Sequence, residues 1–311
     1  MSRGTVASAG AAERPSTFRI WLLAIRPATL PAALSGVVVG LGAALAVGTS
    51  FRADTAIGCL AVALLLQVTA NLANDLADFR KGADTPARTG PIRVAAAGLV
   101  TERQLEIAIG LTIGLAGIVG LWLTTVGGPI LLAVGALAIV AALAYTGGPW
   151  PYGYRGLGEV FVFVFFGLVA VAGTAYLQAG RLEPLFVAAA IPVGALTTAI
   201  LVVNNLRDIP TDTVAGKRTL AVMLGRRATT LEYTGLLFAA FATPVVLAIG
   251  GWGVAVLLPV LAVPLVRPLL RTVRGFTDPR ELNAVLKATA RLAFIYSLLL
   301  AAGLAVGGAV A

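Results

Sequence analysis

Five of the chain's seven aspartates fall in two short stretches, "NLANDLADFRKGADT" at 71–85 and "NNLRDIPTD" at 204–212. Each follows a long apolar run. Residues three and four apart share a helix face, so Asn71, Asp75 and Asp78 form one stripe, with Asn74 four before Asp78. Asn204, Asp208 and Asp212 form a second stripe, although Pro210 predicts that the helix is ending there. Rows of carboxylate and amide oxygens are hard ligands. They suit Mg²⁺, which is typically held by one or two carboxylates together with substrate phosphates. The chain has no histidine and one cysteine, Cys59. Zinc, haem and iron–sulfur sites are therefore not expected, and neither is imidazole catalysis or a disulfide within the chain. Basic residues interleave with the acids: Arg80, Lys81, Arg88 and Arg93 after the first stripe, Arg207, Lys217 and Arg218 around the second. Acids, Mg²⁺ and Lys/Arg together are what departure of a diphosphate requires, because phosphate oxygens not held by metal need positive partners. Any one of these aspartates reads equally as a solvated helix end; two matched rows beside asparagine argue for a site.

The elements that must hold these rows are membrane helices. A mean hydropathy of +0.94 with 12% charged residues lies outside the range of soluble domains. Apolar runs of about 20 residues, the length of a bilayer crossing, occur near 20–47, 54–77, 104–126, 129–147, 158–179, 184–206, 229–250, 252–270 and 284–310. The expected fold is an all-α integral membrane protein of nine transmembrane helices in one bundle. The matched acidic rows suggest an internal pseudo-repeat, with two Asp-rich loops, 78–103 and 207–228, on one face. The seam at "IGGWG" reads as a tight turn or a flexible point in one long helix. Nine spans put 21 of the 23 Lys and Arg on the side of the acidic loops, all except Arg52 and Arg181. The positive-inside rule makes that side, and the N-terminus, cytoplasmic. The net charge of +9 follows from this asymmetry and calls for anionic lipid as the neighbour, not for nucleic acid. Residues 1–18 read as a disordered tail without a cleavable signal, and 19–311 as one membrane domain. Inside a membrane the obvious diphosphate ester is a polyprenyl one, whose tail dissolves in lipid.

At these residues the chain resembles the UbiA superfamily of intramembrane prenyltransferases, whose two Asp-rich motifs "NDLAD" and "DIPTD" parallel. The detail is similar to the branch that prenylates 1,4-dihydroxy-2-naphthoate in menaquinone biosynthesis. That likeness rests on "RPATLPAALSGVVVG" at 26–40, "NLANDLADFRKGADTPARTGPIRV" at 71–94, "GPWPYGYRGLGEVFVFVFFGLVAVAGT" at 148–174 and "NNLRDIPTDTVAGKRTLAVMLG" at 204–225. Many members carry a further aspartate where this chain has Gly82, with Asp84 two residues later, which leaves open whether Asp78 or Asp84 ligates metal. The resemblance implies nine helices and transfer of a polyprenyl group from its diphosphate to the naphthoate, with loss of diphosphate and CO₂. It implies Mg²⁺ held by Asn71, Asp75, Asp78, Asp208 and Asp212, with Lys81, Arg207 and Lys217 assisting the diphosphate. Asp84, Arg88, Arg93 and Asn204 join the substrate-binding set. Arg26 and Arg155 are candidates for the acceptor's carboxylate or, equally, interface anchors. Tyr145, Tyr152 and Tyr154 either shield an allylic cation or belong to an interfacial belt. Phe161, Phe163, Phe165 and Phe166 either wall a prenyl tunnel or face lipid.

Two rival functions fit parts of this pattern. Another acceptor within the superfamily, such as 4-hydroxybenzoate, would use the same acids. A secondary transporter would also carry repeats and buried charge, but its polar groups belong at mid-span, and here the mid-spans are clean.

Overall fold

The computed structural model describes residues 15–82 and 89–308, and the regular structure among them is helical throughout. Eight helices are long and apolar enough to cross a membrane. They are α1 (Thr17–Ala46), α2 (Ala53–Arg80), α3 (Glu102–Gly127), α5 (Gly158–Ala179), α6 (Pro184–Val214), α7 (Leu220–Ile249), α8 (Val254–Gly275) and α9 (Pro279–Gly308). Between α3 and α5 lies a shorter apolar helix, α4 (Ile130–Ala144). Eight of the nine expected spans appear at full crossing length, and the ninth, α4, is shorter. Gly128-Pro129 precedes α4 and "TGGP" at 146–149 follows it, so turn residues confine the helix to 15 residues, about 22 Å of rise.

Local sequence explains the other departures. The helix begins at Thr17 with Ser16 as its cap, so 17 and 18 are not tail; residues 1–14 lie outside the described set. Arg26 takes a left-handed conformation (φ 56°) and breaks α1 before Pro27, which disfavours a helical residue ahead of it. The second acidic stretch is not a loop. α6 runs through Pro210 to Val214 despite the lost donor, leaving only residues 215–219 before α7. The Gly-rich seam at 250–253 is a turn, with Gly251 and Gly253 at positive φ. Within α5, residues Phe163–Val169 are wound as a π-helix.

α6 is the most enclosed of the eight long helices and α3 the least, its Leu111, Leu115 and Ile118 facing outward. Close helix approach relies on small residues: a Cβ added to Gly42 of α1 would stand 2.6 Å from the backbone of Ala301 on α9. Buried phenols tie α7 to α9, Tyr233 Oη pairing with Thr289 Oγ1 at 2.8 Å and Tyr296 Oη donating to the Ala240 carbonyl at 2.6 Å.

Candidate active site

The two acidic rows meet. α2 brings Asp78 and α6 brings Asp208 and Asp212 to one end of a cavity of about 420 Å³, which Asn71, Asn74 and Asn204 also line. Lys217, in the short turn after α6, joins the rows. Its Nζ donates to both oxygens of Asp78 at 3.2 Å and stands 3.9 Å from Asp212. Asp78 also accepts from Arg93 Nη2 at 2.5 Å and from Tyr154 Oη at 2.6 Å. Asp208 accepts from Arg207 through Nε (2.8 Å) and Nη2 (2.6 Å). Arg207 is 1% exposed and also holds Asn204 and Asn283, so it fixes the acid from behind instead of facing the cavity. The Tyr154 ring carries two ammonium groups, Lys81 at 4.5 Å and Lys217 at 4.8 Å. Burial and the adjacent Asp78 carboxylate push its phenol well above its ordinary pKa, so it remains a proton donor. Burial, with Lys217 nearby, lowers the pKa of Lys81 against the opposing pull of Asp78.

Other expected residues are placed differently. Asp75 is not on the cavity; its carboxylate accepts the backbone N–H groups of Val94 (3.0 Å) and Ala95 (3.4 Å). Those bonds draw residues 93–95 into the bundle, and so seat Arg93 against Asp78. Asn71 lines the cavity and also closes the break in α1, its Nδ2 donating to the Ile25 carbonyl (2.8 Å) and Thr29 Oγ1 (3.0 Å). Arg26, beside that break, lines the cavity. Lys81 sits at the rim, donating to the Thr146 carbonyl at 2.6 Å. Arg155 is exposed and stacks on Trp150, away from the cavity. Asp84 and Arg88 lie outside the described residues. Sequence reasoning missed Asn205 and Glu159, which the structure pairs at the cavity wall; "NN" at 204–205 was the only signal for the first.

Beyond the acids the cavity turns apolar. One face of α4 lines it from end to end, through Leu131, Val134, Gly135, Ala138, Ala141 and Ala142, to Tyr145 just beyond. This i, i+3, i+4, i+7 stripe gives a bore about as long as the helix. An aromatic series runs from the end of α4 onto α5. Tyr145 meets Tyr152 edge-on at 5.4 Å, and Tyr152 stacks on Phe161 at 3.9 Å. Phe161, Phe165 and Phe166 line the bore, whereas Phe163 turns away onto Gly194 of α6.

The donor chemistry at the polar end fits a hard divalent ion. Carboxylates and amide oxygens are present, and the chain lacks histidine. Among the described residues no three acidic groups form a preassembled cage; Lys217 stands between them instead. That pattern matches an ion that arrives with, and is completed by, phosphate oxygens.

Residues 33–298 match the model of the UbiA prenyltransferase family. The 1,4-dihydroxy-2-naphthoate octaprenyltransferase of Mycobacterium tuberculosis is 43% identical, over 94% of this chain and 99% of its own. The Escherichia coli protein of that name is 38% identical over 93% and 96%. Among solved structures, the chain is similar to an apo UbiA homolog from Aeropyrum pernix (TM-score 0.64, 17% identity, 88% of this chain and 97% of that one). It is also similar to a UbiA homolog from Archaeoglobus fulgidus bound to GPP and Mg²⁺ (TM-score 0.64, 14% identity, 90% and 99%).

Proposed function

Because this chain belongs to the UbiA prenyltransferase family, we propose that it transfers a polyprenyl group from an all-trans-polyprenyl diphosphate to 1,4-dihydroxy-2-naphthoate. Diphosphate and CO₂ leave and demethylmenaquinol forms, a step of menaquinone biosynthesis. The observation that carries this reading is the two-part cavity, with paired acids and cations at one end and an apolar bore along α4 at the other. A charged head with a long hydrocarbon tail fits that division. The activity named for the bacterial relatives, at 43% and 38% identity over nearly full length, supports the choice of acceptor.

In this reading Asp78, Asp208 and Asp212, with the amide oxygen of Asn71, would hold Mg²⁺ together with diphosphate oxygens, Asn204 lining the cavity beside them, and the Mg²⁺ bound to the Archaeoglobus homolog supports that ion. When bound, it withdraws charge from the leaving diphosphate. Lys217 and Arg93, already against Asp78, turn their N–H groups to the remaining oxygens. Lys81 contributes charge from the rim, and Arg207 holds Asp208 in place. Tyr154 donates its proton to the same end. The C–O electron pair leaves with the diphosphate, and the rings of Tyr145, Tyr152 and Phe161 face the allylic cation. The carboxyl-bearing carbon of the naphthoate attacks, forming the C–C bond. Loss of CO₂ returns its bonding pair to the ring, so no strong base is needed. Arg26 is the cation we assign to the acceptor's carboxylate, Arg88 is retained as a diphosphate contact, and Asp84 as the alternative to Asp78 for the metal.

The chain is a multi-pass membrane protein. We assign it to the bacterial cell membrane, as one domain from the start of α1 at Thr17 onward, with membrane lipid around it. Nine crossings are proposed, α4 included. Its end reaches the level of the acids, because Thr146 pairs with Asn74 at 2.9 Å and accepts from Lys81. The N-terminus and the acidic end are cytoplasmic in this reading, which the distribution of Lys and Arg supports, and the matched rows on α2 and α6 support an internal repeat.

Mass spectrometry of the product tests the reaction. Purified protein, Mg²⁺, a polyprenyl diphosphate and dihydroxynaphthoate are expected to yield prenyl plus naphthoate minus CO₂, and nothing with EDTA. Prenylated 4-hydroxybenzoate from a parallel tube, with no naphthoate product, would overturn the acceptor.

A further inference from the structure

Two buried polar side chains beside the cavity have no part in the reaction as drawn above. Glu159 and Asn205 are 6% and 4% exposed, and Asn205 Nδ2 donates to Glu159 Oε1 at 2.8 Å. Glu159 lies in the first turn of α5, and its Oε2 is buried with no hydrogen-bond partner among the described residues. As the acceptor at Oε1, it holds the Asn205 amide in one of its two orientations, nitrogen toward Glu159 and oxygen away. Asn205 lines the cavity, and its Oδ1 has no partner among the described residues. Asn205 also stands at the seam of the two halves. Asp208 is three residues further along α6, toward the acids, and Leu201 is one turn back, in the bore near Tyr145.

We infer that Glu159 is a positioning residue that fixes Asn205 as a hydrogen-bond acceptor for a hydroxyl of the aromatic acceptor substrate. The ligand class is a hydroxyarene, and the assignment rests on the proposed reaction for its place in the cycle. An acceptor facing the cavity takes an O–H and rejects the corresponding ether, because a substrate that displaces water from the amide oxygen would leave it unpaired. The neighbouring Asn204 does not have this freedom. Its Oδ1 is engaged by Arg207 and its Nδ2 by Asp208.

The test is equilibrium binding of dihydroxynaphthoate and its dimethyl ether to wild-type protein and to Glu159→Gln, alongside steady-state kinetics. Glutamine keeps the shape but both accepts and donates, so it no longer dictates the amide's orientation. The hydroxyl-over-ether preference is expected to fall roughly tenfold, the worth of one oriented hydrogen bond. KM for the acceptor rises by the same factor, while kcat, KM for the diphosphate and half-saturation by Mg²⁺ stay within about twofold. An unchanged preference overturns the inference, and so does a shift in the Mg²⁺ or diphosphate dependence, which would put Asn205 in the metal shell. If Glu159→Gln fails to fold, Asn205→Leu is read in its place, with the same loss of preference expected. Wild type that makes product without any hydroxyl preference sinks the inference alone. Wild type that makes none, yet shows a preference erased in Glu159→Gln, sinks the reaction and leaves the inference standing.

Discussion

Lys217→Met removes the bridge between the two acidic rows and leaves their acids in place. At 3.2 Å from Asp78 and 3.9 Å from Asp212, its gross attractions at an effective dielectric of 20 are about 5 and about 4 kcal/mol. Desolvation offsets most of that in the resting protein, and Asp78 keeps Arg93 and Tyr154, so a folded variant is expected. In the proposed reaction the same ammonium faces the departing diphosphate. Loss of one such preorganised donor costs about 3–4 kcal/mol, or a 10²–10³-fold fall in kcat. The second consequence has the opposite sign. With the positive charge gone from between Asp78 and Asp212, free Mg²⁺ meets less competition, so its half-saturating concentration falls. Product formation across a Mg²⁺ series, with folding checked by thermal melt, measures both. Turnover within threefold of wild type, or a raised Mg²⁺ requirement, would refute the assignment of Lys217 to the diphosphate.

The remaining expectations concern other parts of the cavity. Asp208→Asn abolishes detectable product while the protein still folds, because a carboxylate is lost from the proposed metal site. Asp75→Asn instead weakens the hold on residues 94–95; a lowered melting temperature with an unchanged Mg²⁺ half-saturation is expected, and a raised one would make Asp75 a ligand. Lys81 loses its proton at lower pH than an ordinary lysine because burial disfavours its charged form. Activity that needs this charge therefore falls on the alkaline side as pH rises through the lowered pKa, and Lys81→Arg moves that limb upward in a pH–rate profile. Gly135 lines the bore with open space beside it. Gly135→Phe is expected to cut kcat/KM for long polyprenyl diphosphates at least about tenfold relative to a short one, read by competition in one tube.

Much of this arrangement was legible because apolar length and i, i+4 spacing are local properties. Spans and the two acidic rows follow from them; the convergence of the rows depends on how α2 and α6 pack. What escaped the sequence depended on partners far along the chain. Spacing assigns Asp75 and Asp78 to one helix face, but only the fold-back of residues 94–95 decides that the first is spent on backbone. Asn71 acquires its hold on α1 because Arg26 breaks that helix, which "RP" at 26–27 signalled. Arg155 and Arg26 are indistinguishable as letters; Trp150 claims one and the cavity the other. Pro210 misled because tertiary packing sustains α6 for one more turn. The pairing of Glu159 with Asn205 joins residues 46 apart, with no periodic pattern to announce it.

The ion pairs around Lys217 also bear on how a turnover ends. Magnesium diphosphate is a multiply charged product that a site of bare cations would retain. In the proposed cycle two of the cations that release it have a carboxylate waiting: Lys217 returns to Asp78 and Asp212, and Arg93 to Asp78. The resting pairs thus act as a built-in competitor, resetting the site as the product leaves. By the same reasoning they would lower affinity for the incoming head group, so retention would depend on the hydrocarbon tail, and a tailless diphosphate would be held more weakly than the substrate.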